Sequence, residues 1–433
     1  MLKLSLLFIC VKCGATEFEK TFAEGSPPKG PFCRDRFFWP FSNTSIWNSP
    51  LGASAEMTPA HIYNLPHAVG CALRLGPAVN FRYVCAGWNT SWTESTCLQE
   101  GCCYNPVSSD NEGVPWCYQP AGGPPYGFHN DPDLLVHASD SDPLVPWINQ
   151  GTWNPGNHCD VSGVVATHIP LPDSFTTECG GGNNGMALLL PDNQTLLQMQ
   201  PAFRLMAGSP LLALYHQGAP VPFPWEIDIL GDGAWGAHGG SGLSAIGGTI
   251  RLGELSPNAS PIRHALKLEL FAHDYYYSGG TAAPYAQCFR WPALGCDGYA
   301  HDPSSPLAYN GTILGLQPGT LLALPPGSAV PVTTAPARLI RDALSQYGGY
   351  LVDDTATDDA AICMEVGVTD ELVKDYGIFV QHNARPGYNA NTTAFFHDLV
   401  RIFQALHIVS NNANSSIGGG GVPLAPGPPP ICE

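Results

Sequence analysis

Charge is what this chain has least of. Asp, Glu, Lys and Arg make up 12% of its 433 residues, about half the usual share of roughly 25%. Basic residues are the scarcer kind: 18 Lys and Arg stand against 36 Asp and Glu, for a formal net charge of −18. That balance argues against nucleic acid or an anionic membrane as a partner, since both are held through basic patches. No stretch approaches the ~20 consecutive apolar residues of a spanning helix. Long uninterrupted helical stretches are also few, because 48 Gly and 42 Pro punctuate the text. Aromatic residues are plentiful at 10%, which argues against disorder. The composition points to a soluble, turn-rich, mainly β protein.

Cysteine is abundant. Fifteen cysteines are too many to leave free in a reducing cytosol. They do not form two close Cys-x-x-Cys pairs with His between them, so zinc is not the natural reading and no metal site is assigned. Asn-x-Ser/Thr sequons occur at Asn43, Asn89, Asn193, Asn258, Asn310, Asn391 and Asn414, which marks these positions as surface sites for glycans in a secreted chain. The segment Met1–Cys10 places one lysine before a short apolar run, as a signal peptide does. Two readings of residues 1–32 follow. They form a leader that is removed, or a retained strand whose Leu2, Leu4, Leu6 and Phe8 share one face and dock on another copy of the chain. All three signs give a secreted, extracellular protein.

From Cys71 the cysteines fall at 71, 85, 97, 102, 103 and 117. Arg82 precedes the second by three, Cys97-Leu-Gln-Glu-Gly-Cys102-Cys103 follows, and Pro115-Trp116-Cys117 closes the run. This stretch resembles a P-type trefoil domain over about residues 67–121. The resemblance implies bridges Cys71–Cys103, Cys85–Cys102 and Cys97–Cys117, and a glycan-contacting role for Trp116. Physically, about fifty residues with so few aliphatic side chains need such staples to fold. The plainer reading of Trp116 is that it only packs on the bridges.

Residues 33–66 and 122–433 read as one larger domain around this insert. The fold class expected is mainly β, a β-sandwich or jelly-roll-like domain with two or three helices. Gly185–Leu190 and Gln194–Gln200, parted by Pro191-Asp192-Asn193, form a hairpin signal. Ala265–Phe271 alternates apolar and polar side chains, as a half-buried strand does. Helices are expected over Ala335–Tyr347, with Thr334 as N-cap and Leu339, Ala343 and Tyr347 on its inner side, and near Thr393–Leu406, with Phe395, Leu399 and Ile402 at core spacing. Cys432, at the end of a Gly- and Pro-rich tail, is expected to staple that tail back. Cys159–Cys179 and Cys288–Cys296 are plausible local bridges.

The run Gly231–Leu255, with Arg263-His264-Ala-Leu-Lys267, Arg290-Trp-Pro-Ala293, Tyr347–Thr355 and Leu406–Val409, resembles an uncharacterised family of secreted microbial proteins. The resemblance implies no activity. It implies that the glycine-rich tail belongs to the domain.

Chemistry concentrates between Asp228 and Glu254. Glu226, Asp228 and Glu254 are candidate glycosidase carboxylates. His238 or His264 would serve a lyase as base, with Arg251 neutralising a uronate. The glycine-rich text lacks both the phosphate-loop ending and the nucleophile elbow. The rival reading makes its glycines bends in a β-sandwich and His238 a satisfied turn residue. Asp353, Asp354, Asp358 and Asp359 offer oxygen donors that suit calcium, without EF-hand spacing; a solvated acidic turn is the alternative, and no other cofactor is expected. Tyr275, Tyr276 and Tyr277 stack on sugars or fill core.

These features favour an extracellular, glycosylated structural or surface-coat protein that contacts glycans and polymerises into filaments through its N-terminal segment. The alternatives are a secreted polysaccharide-active enzyme, a glycoside hydrolase or lyase, and a glycan-binding protein acting through Trp116.

Overall fold

Short runs of Leu, Ile, Val and Ala between Gly and Pro turns become strands, because each run is long enough to cross a sheet and too short for a stable helix. The computed structural model describes residues 33–62, 93–99, 103–104, 116–118, 128–149, 163–177, 184–214, 226–280, 283–355, 360–380 and 390–432. The protein is mainly β. Its largest sheet has ten strands, in spatial order β1 (Met57–Pro59), β17 (His407–Val409), β14 (Leu321–Ala323), β15 (Gly349–Asp354), β13 (Leu266–Leu270), β16 (Ala360–Glu365), β4 (Phe128–His137), β7 (Gly185–Leu189), β8 (Thr195–Met199) and β11 (Glu226–Asp228). It is mixed. The pairs β13·β15, β16·β4 and β4·β7 are parallel and the others antiparallel. A second sheet has the order β6 (Val164–Pro170), β5 (Leu144–Asn149), β10 (Leu211–Ala213), β9 (Ala202–Phe203). In the trefoil segment β2 (Cys103–Tyr104) pairs with β3 (Cys117–Tyr118), beside α1 (Glu94–Gln99).

Alternation along the strands divides the side chains between two faces. On one face, Leu266, Leu268, Leu270, Ile362 and Met364 pack with α3 (Ala335–Gln346), α4 (Val368–Tyr376) and α5 (Ala390–Gln404); the four-residue α2 (Ala272–Tyr275) borders them. Further along the same face, Leu134, Val136, Met186 and Leu188 pack against Val145, Trp147 and Leu211 of the second sheet, sheet on sheet. The opposite face carries Ala187, Leu196, Tyr350, Val352 and Cys363 and is covered by Phe41, Trp47 and Leu51 and by the glycine-rich segment through Leu243 and Ile246.

The expected hairpin is present: β7 and β8 pair Met186 with Met199 and Leu189 with Leu196. The two expected helices are present within a residue or a few of their anticipated bounds. In α5, Phe395, Leu399 and Ile402 are buried as anticipated. In α3 the buried stripe is Ala337, Ile340, Ala343 and Leu344, and Leu339 is only half buried. Thr334 makes no cap bond, because its hydroxyl donates instead to Asp398 (2.9 Å).

One expectation changes more substantially. The strand anticipated at Ala265–Phe271 is not half exposed: all five residues of β13 are buried, Lys267 and Glu269 included. Its polar side faces the covering segment rather than water.

The tail joins the domain through a disulfide between Cys33 and Cys432, with Arg34 and Ile431 bridged alongside. Cys288 and Cys296 are bonded, and so are Cys97 and Cys117. Cys10, Cys13, Cys71, Cys85, Cys102, Cys159 and Cys179 lie outside the described residues. Among the described residues, no helix is long and apolar enough to cross a membrane.

Candidate functional site

The covered face of the large sheet is apolar at its margins and polar at its centre. Asp131 and Asp133 are two apart on β4, Lys267 and Glu269 two apart on β13, and Cys363 lies on β16 between them. The two-residue period of a strand sends all five to one face. Asp353 joins them by a different route. The β13·β15 register shifts between Leu268 and Glu269, so Leu268 pairs with Leu351 but Glu269 pairs with Asp353. An extra residue of this kind re-aims a side chain.

The glycine-rich segment lies over this floor. It opens with β12 (Trp235–His238), which folds back on Leu243. A Cβ at Gly236 would strike the Gln198 amide, and one at Gly239 would strike the Asp353 carboxylate. Gly239 also has φ +43°, in the left-handed region that glycine tolerates. Gly240 donates to Asp353 Oδ1 (3.2 Å) and Gly239 to Gln200 Oε1. The close approach drops His238 into the middle of the floor, with no exposed surface.

Around His238 the groups are tightly spaced. Nε2 lies 3.7 Å from Asp131 Oδ2, 3.8 Å from Asp133 Oδ1 and 3.6 Å from Cys363 Sγ. Nδ1 lies 3.9 Å from Asp353 Oδ2. Cys363 Sγ donates to Glu269 Oε1 (3.3 Å). Lys267 Nζ pairs with Asp133 Oδ2 at 2.8 Å, and Thr249 donates to the same oxygen at 2.6 Å. Asp133 Oδ1 and His238 Nδ1 are buried with no hydrogen-bond partner among the described residues.

Burial dominates the electrostatics, because water is not there to solvate charge. It pushes Asp133 up to about 6, against the pull of Lys267 and Thr249. Burial, with Asp131 and Asp353 as neighbours, raises Glu269 well above the usual carboxylate range. Asp353 rises for burial and for the nearness of Asp297 and Asp131. The Cys363 thiol is pushed up by burial and by Glu269. Burial, then Lys267, hold His238 neutral.

A second acidic network adjoins the first. Tyr309 donates to Asp297 Oδ2 (2.6 Å) and Tyr299 to Asp354 Oδ2 (2.8 Å). Burial and Asp354 push Asp297 up to about 7. Asp353 and Asp354, read from sequence as a calcium loop or a solvated acidic turn, are buried strand residues. Asp358 and Asp359 lie outside the described residues.

The structure separates the other anticipated catalytic residues from this centre. Glu254, His264 and Arg251 form their own group. His264 Nε2 is 3.2 Å from Glu254, whose Oε2 accepts from the Arg251 backbone (2.8 Å). The Arg251 guanidinium is taken up by Glu365 (2.8 Å) and by the carbonyls of Phe37 and Phe38. Arg251 and His264 border a small pocket with Phe38, Trp39, Trp47 and Thr249. Asp228 is exposed and caps its own turn at Leu230; Glu226 is exposed at the start of β11. Of the anticipated set only His238 reaches the buried centre. Asp131, Asp133, Lys267, Glu269 and Cys363 were missed. The usable signal was charge alternating with Leu in a strand that other strands flank.

Asp131, His238, Glu269 and Cys363 offer ligand atoms all within 4.8 Å of one another, a set that could hold a metal ion. Hydrolysis of a sugar polymer is harder to fit here. Asp131 and Glu269 bring carboxylate oxygens within 4.8 Å of each other on a buried floor, whereas carboxylates that flank a glycosidic bond stand roughly 5–9.5 Å apart with the sugar between them.

The trefoil segment shows its last bridge, Cys97–Cys117, with Trp116 turned outward beside it at 45% exposure. Residues 78–120 match the family model of the trefoil (P-type) domain. The trefoil module is therefore present. No curated protein matches the chain, and no solved structure matches it. Nothing in these comparisons supports the wider resemblance to a secreted microbial family. Trefoil domains occur in secreted proteins, and the trefoil with its disulfides suggests secretion here.

Proposed function

We propose that the chain is an extracellular glycoprotein of a surface coat, a structural component that contacts glycans through its trefoil module. One observation carries this reading: sugar-related groups face out and reactive groups face in. The six described sequon asparagines, at 43, 193, 258, 310, 391 and 414, are all exposed, and so is Trp116. An exposed indole beside a rigid disulfide is a suitable platform for a pyranose face. His238, Glu269, Asp353 and Cys363 are sealed under the glycine-rich segment. Glu254, His264 and Arg251 are engaged with one another and with Glu365.

Titration of mucin-type glycans against the intact glycoprotein tests the contact. Binding is expected, and Trp116→Ala should abolish it while leaving the unfolding transition of the main domain in place. Equal binding by both proteins would remove the trefoil from the role. Negative-stain images of native material test the coat. Ordered assemblies are expected, formed through the N-terminal segment, which lies outside the described residues; monodisperse monomers at high concentration would refute assembly.

A further inference from the structure

We propose that Asp131, His238, Glu269 and Cys363 bind one divalent first-row transition ion of zinc chemistry, forming a closed structural centre that pins the glycine-rich segment to the sheet. Four observations converge on this. The ligand atoms come from three strands and the covering segment, yet all lie within 4.8 Å of one another. An ion at their centre would sit within a short movement of each, given metal–ligand bonds of about 2.0–2.3 Å.

The donor set selects the ion. One imidazole nitrogen, one thiolate and two carboxylates suit zinc and its neighbours, whereas calcium and magnesium take oxygen donors. Four protein ligands, the most exposed being Asp131 at 8%, describe a filled structural site rather than one with a position left open for substrate.

The surroundings supply outer support of the expected kind. His238 Nε2 faces the ligand cluster, and Nδ1 faces Asp353 Oδ2 at 3.9 Å. A carboxylate behind a ligating histidine fixes the ring and its tautomer once hydrogen-bonded to it, and at 3.9 Å Asp353 needs only a small movement of the ring to do so. Asp353 is itself held by the Gly240 amide.

Charge completes the case. Among the described residues, Asp131, Asp133, Glu269 and Asp353 crowd a space that holds one cation, Lys267, already paired with Asp133 Oδ2. Asp133 Oδ1, on a residue 1% exposed, has no hydrogen-bond partner among the described residues and lies 3.8 Å from His238 Nε2. Ligation takes a thiolate, so binding releases to solvent the proton that Cys363 Sγ donates to Glu269, and the ion takes its place between carboxylate and thiolate.

The full glycosylated chain, secreted from a eukaryotic host and dialysed against zinc, is assayed for metal by mass spectrometry. A stoichiometric transition ion is expected. Cobalt exchange should then produce a thiolate-to-cobalt charge-transfer absorption, which Cys363→Ser removes. His238→Asn should lower metal content by roughly tenfold or more. If the variants fail to fold, the wild-type cobalt spectrum decides alone: thiolate absorption supports the centre, and its absence overturns it. Folded, disulfide-bonded wild type that keeps no transition ion, or that keeps only calcium, also overturns it.

Discussion

Glu269 of β13 stands beside Asp353 of β15 because the two parallel strands slip by one residue just before they meet. Two acidic side chains are thereby turned into one dry space, where burial, then the nearness of Asp131 and Asp353, raise the proton affinity of Glu269. Such an arrangement costs stability unless something compensates it. Lys267 and the glycine-rich cover are the compensating groups visible in the structure.

Lys267→Met should therefore be severely destabilising. The substitution keeps the side chain's length but leaves Asp133 buried beside Asp131 without its cation. Loss of one partner of a buried pair costs about 3–5 kcal/mol. Urea unfolding of the two proteins measures it. A loss under about 1 kcal/mol would mean that Asp133 is protonated in the folded protein and never needed the lysine.

Gly239→Ala should loosen the cover. The new methyl group would enter the Asp353 carboxylate, at a backbone angle that disfavours any side chain. Overpacking of this kind costs about 1–3 kcal/mol. Hydrogen exchange at the Gly240 amide, which donates to Asp353, should accelerate. Unchanged protection there would show that the segment tolerates the displacement.

The pair His264–Glu254 should make stability depend on pH. Burial pulls the imidazole down, but Glu254 outweighs it and leaves His264 above its ordinary value. The folded protein thus holds this proton more tightly than the unfolded chain. The added stability is complete below about pH 6.5, the ordinary histidine value, and is lost as pH rises through the folded value. His264→Gln should consequently cost more at about pH 5 than at about pH 8. Urea midpoints at the two pH values would show an equal cost if the pair were unimportant.

Removing the Cys33–Cys432 bridge, through serine at both positions, should lower stability by about 2–5 kcal/mol. The bridge closes a loop of 399 residues in sequence and holds the strand-like edge at Arg34 against Ile431. Thermal unfolding and limited proteolysis of the C-terminal tail report on it. A tail that stays protected in the double variant would show that Gly418 and Gly419, which pack near Pro50 and Ala55, suffice.

Much of the scaffold was legible because its signals are local. The hairpin of β7 and β8 lies within fifteen residues of sequence, and α5 displays its core face at helical spacing. The site was legible in His238, picked out by the glycines around it, and in Asp353, read as a loop donor for calcium rather than as a buried strand residue. β13 was read as a strand with one wet face, since Lys267 and Glu269 alternate with leucines. The pattern correctly reported two different faces. It had no means of reporting that the polar face is covered.

The sequence by itself determined the trefoil module, the mainly β character, and the outward sequons, because cysteine spacing, strand alternation and short motifs act over a few residues. Only the tertiary structure decided that Asp131, His238, Glu269 and Cys363 meet. Their meeting depends on the order in which distant strands pair and on a one-residue slip between two of them. Those are outcomes of packing many segments against each other at once, and no single segment encodes them.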